Sequence, residues 1–292
     1  MKVLGTGLSG LVGVRLTQLL SDGFEFTNLS LDTGKDITDR KSVEPIYNKS
    51  DAPWIFHLAA YTDVDKAELD RKNGTAGQVW KLNVEATRTI VDSCRQTGKK
   101  LLFISTDYVF DGKKAGYDET DRPVPESWYG ISKYEAEQQV LTLGRDALIV
   151  RIANPYRSSW PGKPDFFHKI LDFLGSGQKI TAPSDQIFVP TYIDDIATAI
   201  RFLINKSKSG VFHAVGSQAL SPYQAAVDIA KAYGYPAAQV TNTDFKTYFQ
   251  NRAPRPFLGL LKNDKISGLG IKMSTFTEGI SKVRQQEKGI KE

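Results

Sequence analysis

Tyr129-Gly130-Ile131-Ser132-Lys133 sets a phenol and an ammonium four residues apart, the only Tyr-x-x-x-Lys in the 292-residue chain. On a helix, positions i and i+4 share a face, so the two side chains can serve one ligand. A phenol with an ordinary pKa of about 10 is a poor acid at neutral pH, and a neighbouring ammonium stabilises its phenolate. Such a pair can hand a proton to an oxygen that gains charge. Chance alone produces about one such spacing in a chain of this composition, so position decides its meaning. Thr106 stands 23 residues earlier, at the end of an apolar run. A hydroxyl there can bind the same oxygen, because ligands of open α/β sheets sit at the carboxyl ends of strands.

A second group of residues suits an anion. Gly7-Leu8-Ser9-Gly10-Leu11-Val12-Gly13 lies between a predicted strand, Lys2–Gly5, and a predicted helix, Leu11–Leu20. Glycines permit a tight turn and let backbone amides approach a pyrophosphate at the helix N-terminus. The spacing is GxxGxxG, and the strand–turn–helix setting gives it meaning. Asp32, at the end of a predicted strand Phe26–Leu31, can accept ribose hydroxyls, which favours NAD. Lys35 could compensate a 2′-phosphate, so NADP stays open. Asp36-Ile37 would follow on the adenine side.

These residues need a frame, and the hydrophobic pattern supplies one. Trp54–Ala60, Leu101–Ser105 and Ala147–Ile152 read as further strands with few polar groups, as in a sheet covered on both faces. Helical patterns separate them: one capped by Thr38 with Val43 and Ile46 inward, one over Thr75–Gln96 stopped by Gly98, and one over Tyr129–Leu143. Repeated βαβ units predict an α/β, Rossmann-type doubly wound parallel sheet. After Arg151 a Pro-, Ser-, Trp- and Gly-rich stretch opens a smaller lobe. Its predicted elements are helices at Phe166–Leu174, Thr191–Leu203, Pro222–Tyr233 and Phe276–Gln286, with a strand at Val211–Val215. The expected division is 1–150 for dinucleotide binding, rejoined by about 181–205, and 151–180 with 206–292 for substrate.

Charge follows that division. Residues 1–150 carry 19 basic and 22 acidic side chains, whereas 151–292 carry 19 and 11, so the net +5 lies wholly in the second half. An anionic partner is expected there. Cys94 alone excludes an internal disulfide, and the opening residues hold no export signal, so a reducing, cytoplasmic setting is expected. No apolar run is long enough to span a membrane, and no metal site is expected from His57, His168 and His213, which lack carboxylates at ligand spacing.

The motifs together resemble the extended short-chain dehydrogenases/reductases. The resemblance rests on the glycine loop, Asp36–Asp39, His57–Thr62, Val64–Glu68, Asn83-Val84, Ser105–Gly112, Tyr129–Lys133, Asp185-Gln186, Pro190-Thr191, Asp194–Ala197, Gly210–His213 and Arg255-Pro256. Within that superfamily the chain is most similar to the dTDP-4-dehydrorhamnose reductases, from residue 1 to about 280. The resemblance implies that Thr106, Tyr129 and Lys133 are catalytic, with NADP(H) or NAD(H) giving hydride to a sugar's 4-keto carbon. It implies that the glycine loop, Asp32, Asp36, Ile37, Leu58, Ala59, Ala60, Tyr61, Asn83, Tyr129 and Lys133 hold the cofactor. Thr62, Asp63, Val64, Thr106, Asp107, Tyr108, Trp128, Gln186 and Arg255 would hold a nucleotide-linked 6-deoxy sugar, with Arg255 gripping the diphosphate. The similar dehydratases place Asp-Glu after the catalytic Thr; Asp107-Tyr108 here favours simple reduction over dehydration.

The chain also departs from the reductase pattern. Arg151-Ile152-Ala153-Asn154-Pro155-Tyr156 replaces an Arg-Thr-Ser-Trp-Val-Tyr-like run, Asp165-Phe166 replaces Asn-Phe, and Phe257-Leu258-Gly259 follows Arg255-Pro256 where a serine is usual. His57 replaces a frequent Asn. Trp128 and Trp160 are candidates to flank a sugar or base. Two other readings stay in view. One is a cofactor-binding regulatory subunit resembling the methionine adenosyltransferase β subunit, and the other a reductase or epimerase of another nucleotide sugar. Neither nucleic acid nor membrane is an expected partner, since the basic half carries no helix-turn-helix or zinc signature; the resemblance leaves room for a homodimer.

Overall fold

The computed structural model describes residues 1–158 and 162–289; Trp160 lies outside them. Five strands appear in the first half: β1 (Lys2–Thr6), β2 (Glu25–Leu29), β3 (Trp54–His57), β4 (Lys100–Thr106) and β5 (Ala147–Ile152). The helices between them are α1 (Leu11–Leu20), α2 (Arg40–Lys49), α3 (Val64–Asp70), the short α4 (Gln78–Trp80), α5 (Ala86–Thr97) and α6 (Trp128–Leu141). The strands all pair in parallel, and β3 and β5 are buried along their whole length. Their Ile, Val, Leu and Phe side chains therefore face helices on both sides, which is why they read as continuous apolar runs.

The second half holds β6 (Pro155–Tyr156), α7 (Phe166–Gly175), β7 (Ile180–Pro183), β8 (Ile187–Phe188), β9 (Thr191–Tyr192) and α8 (Ile193–Asn205). β10 (Gly210–His213), α9 (Pro222–Tyr233), β11 (Val240–Thr243), α10 (Phe245–Tyr248), β12 (Leu258–Gly259), α11 (Asp264–Ser267) and α12 (Phe276–Gly289) follow. The main sheet has the order β10-β5-β4-β3-β1-β2. From β1 the chain runs to one edge through β2, then crosses back to β3, so the strand order reverses between β1 and β3. Crevices for ligands open at the carboxyl ends of strands at such a reversal.

One face of the sheet is covered by α1 and α8 through Leu16, Leu20, Ile196, Ile200 and Leu203. The other is covered by α2, α5 and α6 through Val43, Tyr47, Ile90, Cys94, Ala136 and Val140. A separate core in the second lobe joins Tyr156, Phe167, Phe188, Ile229, Phe276 and Val283. The expected division shifts in one place. β10, assigned from sequence to the substrate lobe, pairs with β5 at the edge of the main sheet, and Phe212 and Ile266 join the sheet's core.

Three local boundaries also differ from the sequence reading. β2 ends at Leu29, so Ser30 begins a turn and Asp32 sits in a 3-10 turn, Leu31–Thr33. Asp39 rather than Thr38 stands at the start of α2. The long helix expected over 75–96 begins at Gln78 and carries a π-helical turn, Lys81–Glu85, before ending at Gly98 in the left-handed conformation.

Candidate active site

The glycine loop is shaped by two of its three glycines. Gly7 has φ +69°, and a Cβ there would lie 2.4 Å from the backbone nitrogen of Ala59. A Cβ on Gly13 would lie 2.4 Å from the Gly7 carbonyl oxygen, so α1 can pack against the loop only without a side chain. Gly10 occupies the N-cap of α1, with no side chain folded over the first turn. Leu8 is buried, while Leu11 and Val12 pack against the core. Backbone amides thus remain uncovered at a helix N-terminus, where the helix dipole attracts an anion.

Asp32 reaches this loop from its turn. Its Oδ2 accepts the Ser9 hydroxyl at 2.5 Å, and the Ser9 oxygen accepts from the Asn28 amide at 2.8 Å. The carboxylate is therefore held at the loop's mouth, though from beyond the strand end. Asp36 accepts both the backbone N–H and the hydroxyl of Thr38, and Ile37 is buried beside it. The Asp36 carboxylate closes a turn.

The loop after β3 is tied from below by a chain of buried neutral groups. The amide of Leu58 donates to the Thr6 carbonyl at 3.0 Å, and that of Tyr61 donates to Asn83 Oδ1 at 2.7 Å. Asn83 lies in the π-helical turn and donates from Nδ2 to Ser132 Oγ on α6 at 2.8 Å. His57 bridges Thr6 Oγ1 at 2.6 Å and Thr87 Oγ1 at 2.9 Å. Thr87 gives its proton to the Asn83 carbonyl, so His57 Nε2 must donate to Thr87 and Nδ1 must accept from Thr6. Burial, then the charge of Lys133, lowers the His57 pKa to about 3, which keeps the ring neutral. His57 thus joins β1, β3, α5 and the Asn83 turn, a role the sequence reading did not assign it. Asp63 caps α3 by accepting from the Lys66 amide at 3.1 Å, while Thr62 is exposed and Val64 opens the helix.

Thr106, Tyr129 and Lys133 converge at the carboxyl end of β4. Ser127 caps α6 at the Gly130 amide, and a Cβ on Gly130 would lie 2.2 Å from the Tyr108 carbonyl oxygen, which seats the helix start on the strand end. Tyr129 is 8% exposed, and its phenol neighbours the Thr106 side chain. Burial raises the phenol's pKa. Lys133 is 2% exposed, donates from Nζ to the Ile104 carbonyl at 2.8 Å and lies 3.9 Å from the Phe103 ring centroid. Burial lowers its pKa to about 7, against the pull of Glu137.

Aromatic rings and a strap of chain enclose these three. The Tyr108 ring meets Tyr129 edge-on at 5.5 Å, and Trp128 stacks on Trp80 at 5.4 Å. The Trp128 indole N–H is buried and without a hydrogen-bond partner. Residues 253–262 cross above. The Leu258 amide donates to the Gly112 carbonyl, the Ile187 amide to the Phe257 carbonyl, and buried Gln186 to the Pro256 carbonyl at 3.2 Å. Arg255 donates to Asp65 Oδ2 at 2.8 Å and to the Ala253 carbonyl at 2.7 Å. Gln186 and Arg255, expected to touch substrate, therefore both anchor the strap. Among the described residues no cluster of three or more His, Cys, Asp or Glu could hold a metal ion, and no helix is long and apolar enough to cross a membrane.

Residues 1–288 match the family model described as RmlD substrate binding domain. The chain belongs to this family. It is 30% identical over 306 residues to dTDP-4-dehydrorhamnose reductase of Aggregatibacter actinomycetemcomitans, covering 97% of this chain and 98% of that protein. Against the enzyme of that name from Mycobacterium tuberculosis strain H37Rv it is 31% identical over 258 residues, 86% and 81% of the two chains. Among solved structures, dTDP-4-dehydrorhamnose reductase from Bacillus anthracis in complex with NADP superposes with a TM-score of 0.88 at 28% identity. That match covers 98% of this chain and 99% of the other.

The places where this RmlD-family chain departs from the expected pattern have definite structural roles. Arg151 forms a buried two-point pair with Glu137 at 2.9 and 2.6 Å. Asp165 caps α7 and accepts from the Arg157 amide and from His168. Gly259 lies directly over Asp107: a Cβ there would be 3.4 Å from Asp107 Oδ2.

Proposed function

We propose that this chain reduces the 4-keto group of a nucleotide-linked 6-deoxy sugar, converting dTDP-4-dehydrorhamnose to dTDP-L-rhamnose with NADPH or NADH. The observation that carries the reading is the buried Thr106–Tyr129–Lys133 set beside an uncovered glycine loop. The loop fits a dinucleotide, because Gly7 and Gly13 leave the space that side chains would fill and the α1 amides have no competing cap. The homologous reductase solved with NADP supports the same cofactor class.

When bound, the reduced nicotinamide supplies the hydride that C4 of the sugar accepts. Tyr129 releases its phenolic proton to O4 as that oxygen gains charge, so the carbonyl becomes an alcohol. Thr106, at the strand end, donates a hydrogen bond to the same oxygen. Lys133, fixed by the Ile104 carbonyl, would hold the nicotinamide ribose with its remaining N–H groups and offset the charge left on Tyr129. Asn83 holds the Tyr61 amide in place and so shapes the floor under the cofactor. Tyr108, Trp128 and the strap exclude water from the sugar.

The test is nicotinamide oxidation with a panel of dTDP-, GDP- and UDP-linked 4-keto sugars, with product NMR for the configuration at C4. The expected result is oxidation with dTDP-4-dehydrorhamnose and formation of dTDP-L-rhamnose. No oxidation with any sugar, together with copurification of a methionine adenosyltransferase, would replace this reading by the regulatory one.

A further inference from the structure

Asp107 follows Thr106 directly and is 6% exposed. Its Oδ1 accepts the Thr106 hydroxyl at 3.0 Å, while the Thr106 oxygen accepts the Tyr108 amide at 3.3 Å. A hydroxyl has one proton. While Asp107 is a carboxylate, that proton is committed, and Thr106 meets Tyr129 or a bound oxygen only through a lone pair. The function proposed above needs Thr106 to donate to O4. The hydrogen bond seen here and the one catalysis needs are mutually exclusive.

The surroundings of Asp107 favour a way out. Among the described residues it forms no ion pair, and the strap backbone at Gly259 closes over Oδ2. The groups facing it are Tyr108 on its own turn and Tyr129 on α6, with Lys133 one turn behind. From the strap Arg255 reaches Tyr108, and Asp65 of α3 neutralises that guanidinium. Desolvation without a compensating cation favours the neutral acid. Burial raises the Asp107 pKa to about 6, although the Thr106 hydroxyl and the backbone amides of Asp107 and Tyr108 oppose the rise. A nucleotide sugar would remove more water and add diphosphate charge, and both effects act in the same direction.

We infer that Asp107 is a positioning residue that must be a protonated, neutral acid for Thr106 to donate to the reacting oxygen. Protonated, Asp107 turns its own O–H toward the Thr106 oxygen, and the Thr106 proton becomes free for O4. Asp107 keeps its own proton through the cycle; the proton consumed at O4 comes from Tyr129. This inference rests on the role of Thr106 in the proposed reduction.

Two measurements test it. In the NADPH-saturated chain with ¹³C-labelled aspartate carboxyls, the resonance missing from Asp107→Asn should titrate above pH 5; a midpoint at or below 5 overturns the inference. In turnover, kcat should decline about tenfold per unit as pH rises past that midpoint. Asp107→Asn, whose amide N–H always donates, should give a several-fold lower kcat that lacks this decline. Lys133 is unchanged in that variant, so any decline of its own remains as the internal reference. A variant profile that superimposes on that of the parent chain overturns the inference. A chain inert on every keto sugar but with the high midpoint would sink the reductase reading and uphold the neutral acid.

Discussion

Helix α6 carries two buried charge sites one turn apart, and they are resolved in opposite ways. Glu137 is fully buried and meets Arg151 through two hydrogen bonds, so each charge has its counterpart within the fold. Among the described residues Lys133 forms no ion pair: it meets the Ile104 carbonyl and the face of Phe103, with Glu137 one turn away. A buried charge paired with a carboxylate is complete. A buried ammonium satisfied by neutral groups retains both spare donors and an unbalanced charge, which is what an anionic cofactor and a phenolate require. The difference sets a charge satisfied within the fold apart from one that has donors to spare.

The two sites can be broken separately. Tyr129→Phe should lower turnover by about 10²–10⁴-fold or more while NAD(P)H still binds, as read by single-turnover kinetics and fluorescence titration; unchanged turnover would remove Tyr129 from the chemistry. Glu137→Gln leaves Arg151 buried without its counter-charge. It should cost about 3–5 kcal/mol of folding free energy in urea unfolding; a loss under 1 kcal/mol would mean the pair is not structural.

Lys133→Met should act with two signs. Turnover falls by roughly 10²-fold, whereas folding stability rises. The folded-state pKa of Lys133 lies below its ordinary 10.5, at about 7. Folding therefore opposes a charged lysine at full cost below pH 7, by less between 7 and 10.5, and not at all above. The stability gain in the variant should be largest at pH 6 and vanish above pH 10.5; a destabilised variant at pH 6 would contradict it. The smallest effect belongs to the remote end of the site: Asp32→Ala should weaken NADH by several-fold more than NADPH, since the carboxylate that reads a ribose hydroxyl is lost. Equal losses would place Asp32 away from the ribose.

Features whose cause is local were legible in the sequence. The glycine loop announces itself because close backbone approach forbids a Cβ, and Tyr129 with Lys133 because helical spacing alone brings them together. The parallel sheet follows from strands that are apolar on both faces. What stayed hidden depends on partners far along the chain. That Asp65, 190 residues away, pairs with Arg255 has no sign in the sequence. Nor has the cap that Asp63 makes on α3. His57 looks like a mere replacement until Thr6 and Thr87 appear at either nitrogen. The π-helical turn at 81–85 has no periodic signal, because one extra residue in a turn leaves the apolar pattern almost unchanged. The sequence places the strand at Val211–Val215 in the substrate lobe because so short a run carries no label for the sheet it joins, and β10 pairs with β5 instead.

The strap also orders events in time. The residues from Gly7 to Lys133 are synthesised before residues 253–262 leave the ribosome. Domains acquire their structure from the N-terminal side during synthesis, and closing so long a span comes last. The stretch that lies against Asp107 is thus made after the strands and helices around it, with α11 and α12 still to follow.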